Sequence, residues 1–277
     1  MAKYTLENLF GIEDKVIAVT GAAGILCSEM SKALADLGAK VAVLDLREDV
    51  AEKVASEIRD AGGQAIAVKC NVLDKPSIEA ACQAVIDKWG QVDVLINGAG
   101  GNKKEATTSD EMGFFDLPAD AIRFVFELNC VGTILPSQVF AKHMAERKAG
   151  QIINLSSMSA FKPLTKVMGY SAAKAAVSNF TEWLSVHMGQ NYSSEIRVNA
   201  LAPGFFLTDQ NRFLLTDEKT GELTPRGQQI LDHTPMGRFG DPEDLLGTMF
   251  WLLSPASAFV TGIVVPVDGG FSAFSGV

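Results

Sequence analysis

Between Lys15 and Val267 short β-branched runs alternate with longer stretches of helical periodicity, a pattern that restricts the fold to repeated βα units closing a parallel sheet. The runs Val16 to Thr20, Val41 to Asp45, Ala65 to Lys69, Val92 to Asn97, Gln151 to Leu155, Ile196 to Leu201 and Ile263 to Val267 are near-continuously apolar, as strands covered on both faces must be. Between them, Ser28 to Leu37, Val50 to Ala61 and Ser77 to Trp89 place apolar residues three and four apart, so each helix buries one stripe on the sheet. Asp241, Pro242 and Asp244 read as the N-cap, first-turn proline and early carboxylate of a helix reaching Leu253. The expectation is one α/β domain over residues 1–277, a Rossmann-type doubly wound parallel sheet of about seven strands with helices on both faces.

Gly98 to Leu117 and Pro203 to about Gly227 break the rhythm, mixing loop residues and charges with Phe114, Phe115, Phe205, Phe206 and Phe213. Both follow the carboxyl ends of strands, where ligands bind in open α/β sheets, and are predicted to be substrate loops.

Composition excludes several functions. The net charge of -9 argues against nucleic-acid binding, which needs a basic surface. No uninterrupted apolar run approaches the roughly 18 residues of a membrane span. The first ten residues lack a signal-peptide core, so a cytoplasmic location away from membranes is expected. Cys27, Cys70, Cys82 and Cys130 form no CxxC pair and have no histidine at ligand spacing, so buried free thiols are expected and no metal site.

Thr20-Gly21-Ala22-Ala23-Gly24 follows the first strand and opens the first helix, so small residues let backbone amides approach a pyrophosphate at the positive helix end. A plain tight turn is the alternative. Asp45 ends the second strand, where a carboxylate accepts hydrogen bonds from both ribose hydroxyls and repels a 2′-phosphate. NAD is therefore expected over NADP, although Arg47 could soften the choice; Asp45 could also cap the turn before Asp49.

Tyr170-Ser171-Ala172-Ala173-Lys174 opens an apolar-periodic segment, so the tyrosine and lysine share one helical face. A nearby ammonium stabilises a phenolate, which suits Tyr170 to acid–base work.

Together, Thr20-Gly21 with Gly24, Asp45, Asn97-Gly98-Ala99-Gly100, Asn129, Ser157, Tyr170 with Lys174, and Pro203-Gly204 resemble the short-chain dehydrogenase/reductase family in order and separation. The resemblance implies that Tyr170 exchanges the substrate proton, Lys174 binds the nicotinamide ribose, Ser157 holds the reacting oxygen and Asn129 anchors a proton-relay water. It implies cofactor contacts from Gly21, Ala23, Gly24, Ile25, Asn71, Val72, Asn97, Gly98, Ala99, Pro203, Gly204 and Thr208, with Asn71 standing where the family carries Asp. Ile25 and Cys27 stand where the family has glycines.

The segment from Gly204 to Arg212 and the tail from Val267 resemble the short-chain type of D-mannonate oxidoreductase (fructuronate reductase). That resemblance implies an anionic sugar-acid substrate, with Asn102, Lys103, Asn211 and Arg212 as contacts beside Ser157. Lys104, Lys166 and Arg238 add cations near strand ends, though loop cations are often merely solvated. Another sugar-acid enzyme, such as a gluconate 5-dehydrogenase, is the nearest alternative. A catalytically silent NAD-binding regulatory protein is the reading from another class; it is disfavoured because Ser157, Tyr170 and Lys174 together have no packing reason. The family further implies a homo-oligomer, often a tetramer, with Phe271 and Phe274 as candidate interface residues.

Overall fold

The computed structural model describes residues 5–207, 215–217 and 220–276. Among them, seven parallel strands form one sheet. A short helix α1 (Leu6–Phe10) precedes β1 (Val16–Thr20), α2 (Ile25–Asp36), β2 (Lys40–Asp45), α3 (Glu48–Asp60), β3 (Gln64–Lys69), α4 (Lys75–Trp89) and β4 (Val94–Asn97). Next come α5 (Ala119–Phe126), a π turn over Glu127–Val131, α6 (Gly132–Arg147), β5 (Gly150–Leu155), α7 (Met168–Asn191) and β6 (Ile196–Pro203). The chain ends with α8 (Pro225–Asp232), α9 (Leu246–Leu253) and β7 (Val264–Val267). The strand order β3-β2-β1-β4-β5-β6-β7 reverses direction between β1 and β4, and that switch opens a crevice at the carboxyl ends of the strands.

Alternation along the strands explains why both faces are dry. Ile17, Val19, Val41 and Val43 pack with Met30 and Leu34 of α2, Val54 and Ile58 of α3 and Met249 and Leu252 of α9. Val16, Ala18, Ala42 and Leu44 point the other way, into Ile78 and Val85 of α4, Phe140 and Met144 of α6 and Leu184 and Met188 of α7.

All seven sequence-predicted strands are present, with small shifts at their ends. β4 starts at Val94, two residues later than expected: the Asp93 carboxylate is occupied by Val16 N at 2.8 Å and Arg147 at 3.0 Å. β6 runs on to Pro203 because Gly204 N reaches Val267 O at 2.9 Å. α2 opens at Ile25 rather than Ser28, capped only by the backbone of Gly24. Asp241 is the expected N-cap and forms a capping box with Asp244, but the first turn is 3-10 (Pro242–Leu245) before α9 begins.

The sequence carries no uninterrupted apolar span. Even so, the helical stretch Ala119–Arg147 is, among the described residues, long and apolar enough to cross a membrane, and half of its apolar window is buried inside the fold. The four cysteines are buried and unpaired. Phe271 and Phe274 pack on His233 of their own chain, and Phe271 also on Phe205.

Candidate active site

β5 ends at Leu155, and Ser157 follows in extended conformation, capping a 3-10 turn (Met158–Ala160) by accepting Ser159 N at 3.2 Å. This directs the Ser157 hydroxyl toward Tyr170, in the first turn of α7, close enough to act on the phenol. The Tyr170 ring packs on Ala106, Ala121 and Val125, so its position is fixed by the loop after β4 and by α5. Four residues along α7, the Lys174 ammonium lies 5.6 Å from the Tyr170 ring centroid and donates to Leu155 O at 2.7 Å.

Burial dominates the electrostatics of this pair. It pushes the Tyr170 phenol above its usual value, with the Ser157 hydrogen bond pulling the other way. It also pushes the Lys174 ammonium down to about 8, opposed by Cys27. Lys174 is thus not what shifts Tyr170 in this arrangement; its ammonium is taken up by Leu155 O. Ser156 secures the helix from below, bonding to Lys174 O at 3.1 Å and Ser178 Oγ at 2.7 Å.

Asn129 sits in the π turn, fully buried. Its amide is committed to the protein: Nδ2 donates to Gly101 O and Val125 O, both at 2.7 Å, and Oδ1 accepts Gly101 N at 3.1 Å. The side chain therefore clamps the turn after β4. A Cβ on Gly100 would stand 2.7 Å from Asn129 Oδ1 and 3.2 Å from Lys174 Nζ, which marks where these three residues converge.

The glycine turn after β1 is held from both sides. Thr20 Oγ1 accepts Gly98 N at 3.2 Å and Ala99 N at 3.3 Å, joining the carboxyl ends of β1 and β4. Gly21 has φ +64, and a Cβ there would stand 2.7 Å from Ala99 Cα, so only glycine fits. Asp45, 8% exposed, accepts Ala23 N at 3.1 Å and Arg47 N at 3.0 Å, while the Arg47 guanidinium lies 3.8 Å away. Cys27 in place of a glycine is accommodated because Gly98 faces it: a Cβ on Gly98 would collide with Cys27 Sγ. Close packing of α2 on the sheet is retained by moving the missing glycine's space across to the turn after β4.

This turn fits a dinucleotide. α2 has no side-chain cap, which leaves its first amides for an anion. Asp45 stands where a ribose would follow.

Asn71 and Val72 lie beyond β3, with Asn71 Oδ1 accepting Leu73 N at 3.1 Å and Val72 buried. Asn97 is buried in the sheet, donating to Ser137 Oγ at 2.9 Å and Asn154 Oδ1 at 2.8 Å. Gly204 lies against Asp268, where a Cβ would approach Asp268 Cα to 2.6 Å. Asn102 and Lys103 are exposed on the rim. Asn102 donates to Thr107 Oγ1 at 2.7 Å, and the Lys103 ammonium sits 5.3 Å above the Phe124 ring. Thr208, Asn211 and Arg212 lie outside the described residues.

The clamping role of Thr20, the hold of Ser156 on α7 and the Leu155 carbonyl were not foreseen in the sequence. Ser156 carried a weak signal, since Lys174 and Ser178 are one helical turn apart; a backbone acceptor carries none.

The family model described as enoyl-(acyl carrier protein) reductase matches residues 21–272. An uncharacterised oxidoreductase of Haemophilus influenzae is 50% identical, with 96% of each chain covered. Two Escherichia coli enzymes, a 7alpha-hydroxysteroid dehydrogenase and a 5-keto-D-gluconate 5-reductase, are each 33% identical over 96% of this chain and 97% and 98% of theirs. A crystal structure from Haemophilus influenzae, provisionally described as a D-mannonate oxidoreductase with bound NAD, superposes with a TM-score of 0.91 at 50% identity, covering 96% of this chain and 98% of that one. The chain belongs to the short-chain dehydrogenase/reductase family and is an oxidoreductase.

Proposed function

We propose that this enzyme reduces D-fructuronate to D-mannonate with NADH, and runs the reverse oxidation with NAD. The observation that carries the chemistry is the convergence of Ser157 and Tyr170, with the Lys174 ammonium 5.6 Å from the Tyr170 ring centroid. The 50% identical structure described as a D-mannonate oxidoreductase supports the substrate. The 5-keto-D-gluconate 5-reductase relative supports a second reading, reduction of another keto sugar acid.

Bound NADH supplies the hydride to the ketone carbon. Ser157 holds the ketone oxygen, and the Tyr170 hydroxyl gives that oxygen its proton as the carbonyl bond becomes an alcohol. Lys174 would turn from Leu155 O toward the nicotinamide ribose, and its charge supports the phenolate left on Tyr170. Gly21, Ala23, Gly24 and Ile25 would hold the pyrophosphate, Asp45 the adenosine ribose, Asn71, Val72, Asn97, Gly98 and Ala99 the adenosine side of the crevice, and Pro203, Gly204 and Thr208 the carboxamide. Asn129 acts as a positioning residue for the turn at Gly100. Asn102, Lys103, Asn211 and Arg212 are the proposed contacts for the substrate's carboxylate and hydroxyls.

The direction of the Tyr170 shift sets a pH dependence. Reduction needs the protonated phenol, which persists throughout the neutral range, so its kcat should be flat from about pH 6 to 8. Oxidation needs the phenolate, whose fraction grows about tenfold per pH unit below its pKa, so oxidation should rise over the same range. Initial rates in both directions check this; an oxidation rate flat with pH would contradict Tyr170 as the base.

The unpaired cysteines suit a reducing, cytoplasmic setting. One domain and a homotetramer complete the proposal. The exposed Phe124 and Phe126 of α5 and Trp183 and Val186 of α7 supply an apolar face for subunit contact. Light scattering should give a multiple of the 29.6 kDa chain mass, and a monomer at micromolar concentration would remove the assembly.

Incubation with NADH and D-fructuronate, followed by product identification by NMR, tests the reaction. D-mannonate is expected; no consumption of D-fructuronate would overturn the assignment.

A further inference from the structure

Three segments from different parts of the chain meet at the C-terminal tail. Gly269 and Gly270, with φ of +62 and +89, turn the chain back across the segment that leaves α8. There Met236 N donates to Gly269 O at 3.1 Å, and Cβ atoms added at Gly269 and Gly270 would stand 2.9 Å from Thr234 Cγ2 and 3.1 Å from Pro235 Cγ. His233 lies between two rings of the tail, 4.8 Å from the Phe271 centroid and 4.9 Å from Phe274. Phe271 in turn tilts against Phe205, at 5.1 Å, in the segment that follows β6. Lys162, between Ser157 and Tyr170 in sequence, donates to Phe274 O at 3.5 Å.

The tail therefore ties together the segment carrying Ser157 and Tyr170, the segment leaving β6, and the exit of α8. All three lie beyond the carboxyl ends of β5, β6 and β7, on the substrate side of the crevice. The glycine turn and Asp45 are not in this set.

We propose that the C-terminal tail is a fixed wall of the substrate mouth and that His233 is the positioning residue that locks it, through Phe271 and Phe274, to the chain following β6. The tail itself does no chemistry. Its effect is to hold Phe205 at one distance from Ser157, so that a compact keto sugar acid is gripped without an ordering cost at each encounter. This rests on the sugar-acid reading, and the tests below separate the two.

Each ring pair with His233 is lost in His233→Ala, and pairs of this kind contribute about 0.5–1.5 kcal/mol beyond area burial, so substrate KM should rise about tenfold. NADH affinity should fall far less than substrate affinity, because the pyrophosphate and adenosine contacts lie at the β1 turn and at Asp45, and only the carboxamide contacts adjoin the tail. His233→Phe keeps both ring contacts and should restore a near wild-type KM. D-fructuronate is the assay substrate, with 5-keto-D-gluconate used if the wild type leaves D-fructuronate untouched; that outcome would sink the D-fructuronate assignment while the KM comparison proceeds.

Hydrogen exchange reads the lock without any substrate. In a chain shortened to end at Ala273, amides of residues 225–236 should exchange faster than in the wild type, while those of α2 should not change. Faster exchange with a raised KM supports the wall. Unchanged exchange at residues 225–236, or a His233→Ala variant with unaltered KM, would overturn it, as would a loss of NADH affinity matching the loss of substrate affinity.

Discussion

Tyr170→Phe should lower kcat for ketone reduction about a thousandfold, within the range expected when a positioned general acid is removed. The substitution leaves the ring in contact with Ala106, Ala121 and Val125 and deletes only the hydroxyl near Ser157. Folding and NADH binding should therefore be retained, with the NADH Kd within about twofold of wild type. A kcat within tenfold of wild type would remove Tyr170 as the proton donor. Tight NADH binding by a wild type that turns over nothing would instead favour a silent binding protein.

The second large effect is expected at Asp45, which has two tasks. Its carboxylate stands where a ribose would be recognised, and in this structure it also holds Ala23 N at 3.1 Å and Arg47 N at 3.0 Å. Hydrogen bonds to a charged acceptor are worth about 1.5–3 kcal/mol, so Asp45→Ala should weaken NADH binding about tenfold to a hundredfold. If repulsion of a 2′-phosphate were its whole role, the same change would admit NADPH. Because the glycine turn loses its pin as well, NADPH should remain a poor cofactor despite the nearby Arg47. Calorimetric titration with both dinucleotides decides this: NADPH binding to the variant as tightly as NADH binds the wild type would contradict the pinning role.

What the sequence made legible follows from the range of the interactions involved. Strands were readable because both sheet faces are buried, which forces runs such as Val16–Val19 and Val41–Leu44 to be apolar. The start of α2 was displaced because Gly24 supplies no side-chain cap, so the first recognisable signal came a turn later at Ser28. The π turn at Glu127–Val131 leaves the apolar periodicity almost intact while rotating Asn129 toward Gly101, and periodicity does not register it.

The site divides in the same way. Tyr170 and Lys174 are one turn apart, so their shared face is a local property. The partner that holds Lys174 is a carbonyl on β5, and the residue that makes room for Cys27 is Gly98, in the turn after β4. Such complementarity between distant segments is set by packing and leaves no local trace. Asn102 and Lys103 looked like free polar groups on a loop, yet their ends are engaged with Thr107 and Phe124, so contact with a substrate carboxylate would require those interactions to be exchanged.

The measurement closest to the central claim is the initial rate of NADH oxidation with D-fructuronate, beside D-tagaturonate, 5-keto-D-gluconate and an acetoacetyl thioester, repeated with NADPH. The account predicts the highest kcat/KM for D-fructuronate with NADH. Faster turnover of the thioester than of any sugar acid, or a preference for NADPH, would contradict it.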